Sequence, residues 1–297
     1  MIFPSYHYEF FMNNIRTLPR FLHTINQEVM ELTFHILGGD LRQKYLQDYI
    51  ASKGFLVTSS YLGAPDPPDW EADILVLPLP VSRDQCTLNT PLSKEKISLA
   101  TVWGRFSGKA VFGGMLPPLE GAPWPMLDYF EAEEVTLANA VPTVEGAIAL
   151  AIANTSFTLW RQPVLILGGG RIGQLLALRL HALGARVTVA ARRSETLALC
   201  RSFGAEGRFF EDVNFERFRL IFNTVPAPVL GEEQLKKCPK DTLLMELASA
   251  PFGFDPALAV GLGIKVLGGQ GLPGKYAPET AAQIIGDYIL KEMENLV

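Results

Sequence analysis

The sequence predicts an α/β fold of two doubly wound parallel-sheet domains facing each other across an inter-domain cleft. Three observations carry that expectation. The chain has 297 residues, 48% of them hydrophobic, enough for a large core but beyond the length at which one core usually divides into two. Short apolar strand patterns alternate with helical ones, the rhythm of a parallel sheet covered on both faces. In the second half a strand runs directly into a glycine-rich turn that opens a helix.

Residues 1–31 precede any regular pattern and read as an N-terminal extension, either mobile or the product of a start codon placed too early. They are rich in aromatics but lack the apolar core and small-residue cleavage site of a signal peptide. A first Rossmann-like domain is expected over residues 32–141: a strand at 32–37, a turn at Gly38-Gly39, and a helix at 41–53 with Leu41, Tyr45, Leu46 and Tyr49 at helical spacing. Strands follow at 55–62, 73–79 and 110–115, separated by segments rich in proline and glycine. Pro142 is expected to open a long bridging helix, 142–159, because proline favours the first helical turn. The second domain, 142–277, continues with strands and helices in alternation. The last helix, 278–297, has no strand after it and is expected to pack back on the first domain.

The charge balance of 31 acidic against 26 basic residues supplies no basic field for nucleic acid or an anionic membrane surface, so a small-molecule ligand is expected. Apolar runs such as residues 147–153 fall short of a bilayer span. Cys86, Cys200 and Cys238 are odd in number and form no C-x-x-C pair, which argues for a reducing compartment and against a metal site.

The chemistry is concentrated at Gly168-Gly169-Gly170-Arg171-Ile172-Gly173. Here G-x-G-x-x-G follows the strand 163–167 and opens the helix 174–183, with the next strand at 186–190. In that context Gly168 permits the tight turn, Gly170 lets a pyrophosphate approach the backbone, and Gly173 lets helix and strand pack closely. The helix N-terminus, including Arg171 and Ile172, offers free N–H groups to phosphate. At the end of the second strand an NAD-binding chain usually places an acid for the ribose diol. This chain reads Arg192-Arg193-Ser194, whose guanidinium forks and hydroxyl match the 2′-phosphate of NADP. Thr224, Val225, Pro226 and Ser249 lie at the carboxyl ends of later strands, where open α/β sheets bind ligands.

Several segments together resemble the family of the dipicolinate synthase A subunit. They are Ile36-Leu-Gly-Gly-Asp-Leu-Arg-Gln43, Asn139-Ala-Val-Pro-Thr-Val-Glu-Gly146, the glycine turn, Ala191-Arg192, Glu246-Leu-Ala-Ser249 and Gly271-Leu-Pro-Gly-Lys-Tyr-Ala-Pro-Glu-Thr-Ala281. The resemblance implies oxidation of dihydrodipicolinate to dipicolinate with NADP, a flavoprotein-like second subunit, and a place in the cytoplasm of a sporulating mother cell. The family's basic residue and glycine pair near Pro251 are replaced here by Ser249-Ala250-Pro251-Phe252-Gly253.

A dicarboxylate substrate calls for cationic or N–H-rich contacts. The expected substrate-side residues are Arg42 after the first turn, Lys275 in the Gly271-Leu-Pro-Gly274 segment, and Thr143 with Glu145 at the start of the bridging helix, Glu145 being the candidate for proton handling. None of the four histidines is well placed: His7 and His23 lie in the extension, His35 in the first strand and His181 in a helix. Gly38-Gly39-Asp40-Leu41-Arg42-Gln43 lacks the third glycine of the fingerprint, so the first domain is assigned to substrate. Two other readings compete: an NADP-binding scaffold or regulatory protein, and a dehydrogenase of an amino acid or 2-hydroxy acid, whose two-lobed layout is the same.

Overall fold

The computed structural model describes residues 31–63 and 66–296. The extension expected over residues 1–31, with His7 and His23, lies outside the described residues except for Glu31. The first sheet collects β1 (Thr33–Leu37), β2 (Leu56–Ser60), β3 (Ile74–Val76), β4 (Ala110–Gly113) and β5 (Met126–Asp128), with α1 (Leu41–Ser52) after β1 and α2 (Leu99–Arg105) before β4. A long helix, α3 (Glu133–Asn154), then leads to the second sheet. That sheet holds β6 (Pro163–Leu167), β7 (Arg186–Ala190), β8 (Glu206–Arg208), β9 (Leu220–Asn223), β10 (Leu243–Glu246) and β11 (Lys265–Gly268). Its helices are α4 (Arg171–Ala182), α5 (Ser194–Ser202), α6 (Glu232–Lys237) and α7 (Pro256–Gly261), and the chain ends in α8 (Leu272–Tyr276) and α9 (Pro278–Leu296).

All pairings within both sheets are parallel. Parallel strands buried on both faces need apolar side chains throughout, and residues 164–167 and 220–223 are buried at every position. The first sheet runs β2-β1-β3-β4-β5 and the second β11-β10-β9-β6-β7-β8. Each order reverses direction at one place, between β1 and β3 in the first sheet and between β6 and β9 in the second. Such switch points leave a crevice at the carboxyl ends of the strands, where doubly wound sheets bind ligands.

Two stretches of chain join the sheets. Val144, Ala147, Ile148 and Ala151 of α3 enter the core of the second sheet. Ala282, Ile285, Ile289 and Met293 of α9 return to the core of the first, against Leu46 and Ile50 of α1. By length and apolarity alone α3 would qualify as a membrane span, but Val144, Ala147, Ile148 and Ala151 are buried in the second core.

The bridging helix departs from expectation. It begins at Glu133 rather than Pro142, ends at Asn154 rather than 159, and holds Pro142 in its interior. Glu133 and Glu134 in the first turn complement the helix dipole, and Thr143 Oγ1 donates to Asn139 O at 2.7 Å one turn back, a local bond that accompanies the proline. Helix α4 starts at Arg171, immediately after Gly170, and not at 174. The short elements α2 and β5 carry no periodicity long enough to anticipate.

Candidate functional site

At the switch point of the second sheet each fingerprint glycine has its own reason. Gly168 sits at φ +101°, and a Cβ there would fall 2.4 Å from Thr224 Oγ1; one on Gly173 would fall 2.1 Å from Gly168 O. Neither position tolerates a side chain. A Cβ on Gly170 would meet nothing within 4 Å. Gly170 is also the N-cap of α4 and supplies no side-chain hydrogen bond to the helix, so the first-turn N–H groups point outward with their partial positive charge. Open helix N-termini of this kind are where anions commonly bind in proteins. Ile172 is half-buried against the core below it, and Arg171 Nη1 donates to Thr136 Oγ1 at 2.8 Å, tying the turn to the first turn of α3.

Strand β7 adjoins β6 on one side, and its end carries Arg192 and Arg193, with Ser194 opening α5. All three are exposed, and Arg193 makes no side-chain capping bond. No carboxylate lies between Ala190 and Ser194. Strand β9 adjoins β6 on the other side. Thr224 Oγ1 and the Thr224 N–H both donate to Leu167 O at 2.9 Å, so the loop 224–226 leans on the glycine turn. Val225 is half-buried, Pro226 exposed, and Ser249 exposed just beyond β10.

Two residues outside the expected set, Glu246 and Asn223, organise this edge. Glu246, at the end of β10, is 2% exposed. Its Oε1 accepts from Asn223 Nδ2 at 2.7 Å and from the Ala248 N–H at 2.9 Å, and its Oε2 accepts from the Gly253 N–H at 2.9 Å. Burial raises the Glu246 pKa, and the bonds from Asn223, Gly253 and Ala248 offset only part of that. An acid closing the apolar run Leu243-Leu244-Met245 is the sequence signal that points to it.

The switch point of the first sheet is filled by the protein's own groups. Asp40 caps α1, accepting from the Arg42 N–H at 3.0 Å, while Gln43 Oε1 accepts from the Asp40 N–H at 3.1 Å, a closed capping box. Arg42 Nε and Nη2 each donate to Asp40 at 2.9 Å, and Nη2 also donates to Leu79 O at 2.5 Å, beyond β3. The buried Arg42 guanidinium thus bridges the two strand ends. Among the described residues no hydrogen bond engages Nη1. Burial pushes the Asp40 carboxyl upward, but Arg42 outweighs it and the pKa lies below the ordinary value.

Helix α8 brings distant segments together here. A Cβ on Gly274 would fall 2.6 Å from Asp40 Oδ2, and one on Gly146 of α3 would fall 3.0 Å from Leu272 and 3.1 Å from Tyr276. The next residue after Gly274 is Lys275, exposed in α8, so the structure brings Lys275 into the neighbourhood of Asp40 and Arg42. Thr143 is buried on α3 three residues before Gly146, with its hydroxyl spent on Asn139. It does not cap a helix start. Glu145 is not near a helix start either. It is exposed, 4.0 Å from Arg179 of α4. His35 is buried between the hydroxyls of Thr58 and Ser60, and burial lowers its pKa to about 4. His181 packs against Gly204.

A parallel sheet ordered around an uncapped glycine turn, together with a second parallel sheet that has its own switch point, is the two-domain dehydrogenase fold. Solved structures agree. D-lactate dehydrogenase from Salmonella superposes with a TM-score of 0.60 at 13% identity, over 89% of this chain and 96% of that one. No protein-family model matches the chain. The A subunit of dipicolinate synthase from Bacillus subtilis (strain 168) is 31% identical over 282 residues, covering 88% of this chain and 95% of that protein. The crystal structure of the dipicolinate synthase A subunit from Bacillus halodurans superposes with a TM-score of 0.78 at 28% identity, over 88% of this chain and 97% of that one. The chain belongs to the family of the dipicolinate synthase A subunit.

Proposed function

We propose that this chain is an NADP-dependent oxidoreductase that oxidises dihydrodipicolinate to dipicolinate, acting with a flavoprotein-like second subunit in the cytoplasm of a sporulating cell. The observation that carries the reading is the pairing of an uncapped glycine turn at one switch point with a braced guanidinium at the other, in a chain of this family.

When bound, NADP supplies the hydride acceptor. Aromatising a dihydropyridine removes a hydride and a proton, and the aromatic product favours the reaction, so the protein's main task is orientation. Orientation can contribute on the order of 7–11 kcal/mol to lowering such a barrier. The N–H groups that follow Gly170 receive the pyrophosphate, and Arg192, Arg193 and Ser194 hold the 2′-phosphate. Thr224, Val225, Pro226 and Ser249 border the cofactor along the other strand ends. Arg42, through Nη1, and Lys275, through its ammonium, bind the substrate carboxylates. On α3, Thr143, whose hydroxyl donates to Asn139 O, and Glu145, which lies 4.0 Å from Arg179, are the further candidates, with Glu145 taking the proton that leaves as the hydride passes to the cofactor.

Absorbance at the NADPH band tests the reading, with the purified chain given NADP and freshly generated dihydrodipicolinate, alone and together with the flavoprotein-like partner. Reduction is expected, either by the chain alone or once the partner is added. NADP binding without reduction in either mixture would overturn the substrate assignment.

A further inference from the structure

The buried carboxylate of Glu246 has no role in the reading above. It lies deep at the carboxyl edge of the second sheet, and among the described residues no cation pairs with it. Burying a carboxylate is unfavourable unless hydrogen bonds compensate, and here three donors from two segments converge on its two oxygens. Asn223 extends the connection. Its Nδ2 donates to Val225 O at 3.0 Å and its Oδ1 accepts from the Val225 N–H at 3.2 Å, so Glu246 holds the loop that leans on Leu167 and the glycine turn. On the other side Gln270 Nε2 donates to Glu246 O at 3.4 Å and Ala248 O at 3.3 Å, adding the segment after β11. The packing leaves no slack: a Cβ on Gly253 would lie 2.2 Å from Asn223 Nδ2.

The strand order says what these loops face. From the phosphate turn on β6, the arginine pair lies over β7 in one direction, so the other half of an extended dinucleotide runs over β9 and β10. Those are the two strands whose ends Glu246 joins. We propose that Glu246 is a positioning residue for the nicotinamide end of the cofactor, holding residues 223–226 and 247–253 at a fixed spacing. The proposal rests on the dinucleotide reading of the glycine turn. A glutamine could accept from only one side and would turn a donor toward the remaining N–H groups, so the carboxylate is specifically required.

The experiment compares the wild type with Glu246→Gln in binding NADP and 2′-phospho-ADP-ribose, which lacks nicotinamide, with melting followed in the absence of ligand. The variant is expected to bind NADP about tenfold more weakly, the scale of one lost hydrogen bond to a charged group, and the fragment within about twofold of wild type. In Glu246→Gln/Asn223→Asp the amide donates to the new carboxylate, and NADP affinity is expected to recover in part. Should Glu246→Gln not fold, Asn223→Ala cuts the same bracket and is expected to discriminate between the ligands in the same way. Equal weakening of NADP and fragment, or no change in either, would overturn the positioning role. Failure of the wild type to bind either ligand would instead overturn the dinucleotide reading beneath it.

Discussion

The two sheets place a glycine turn at the same topological position and use it in opposite ways. After β1, Gly38 and Gly39 lead into a helix whose N-terminus is closed by Asp40 and Gln43, with Arg42 clamped on Asp40. After β6, Gly168 to Gly173 lead into a helix whose N-cap is Gly170, with no side chain on the exposed N–H groups. One turn satisfies itself; the other can be satisfied only by solvent or by a ligand. A glycine string is therefore a weak guide to nucleotide binding, and the cap residue decides which turn leaves its first N–H groups without a side-chain partner.

The largest effect expected from breaking this comparison comes at Gly170. Gly170→Val places its side chain in open space, so melting without ligand should stay near wild type, while dinucleotide affinity falls about 100-fold, or about 2.7 kcal/mol. Isothermal titration and a melting curve check both halves, and a folded variant that binds normally would break the assignment. On the self-capped side, Asp40→Ala removes a cap and strands the buried Arg42, costing about 2 kcal/mol of stability in denaturant unfolding. Its cofactor affinity should not move.

How much of this is legible in the sequence depends on whether the signal is local. The fingerprint glycines, β6, β7 and the absence of an acid before Ser194 lie within one short segment, and strand and turn chemistry expose them directly. Helix α3 departs from its expected bounds because Pro142 looks like a first-turn proline, whereas the real start at Glu133 follows an N-cap, Ala132, with no capping side chain to announce it. The meeting of Asp40 with Gly274, and of Gly146 with Leu272 and Tyr276, is tertiary packing between segments far apart in the chain. Glu246 is visible only as part of a motif. Its role needs Asn223 and Gly253, which the fold delivers.

A smaller effect sharpens the cofactor end. Arg192→Ala with Arg193→Ala should weaken NADP about tenfold, the loss of one charge-assisted contact at an exposed site, and leave NAD nearly unchanged. Equal loss for both cofactors would remove the 2′-phosphate from the account. The smallest effect is in pH dependence, where the two strand-end carboxylates act in opposite senses. The Asp40 pKa is lowered in the fold, so its contribution is present above the ordinary aspartate value and is lost as pH falls through the folded value. The Glu246 pKa is raised, so its contribution is greatest below the ordinary glutamate value and shrinks as pH rises through the folded one. Melting temperature against pH should flatten below the ordinary aspartate pKa in Asp40→Asn and above the ordinary glutamate pKa in Glu246→Gln.

Hydrogen–deuterium exchange of the wild-type chain with and without NADP bears most directly on the difference between the two turns. The account predicts added protection across residues 168–174 and 192–194, with residues 38–43 unchanged by the cofactor. Protection at 38–43 with none at 168–174 would contradict it.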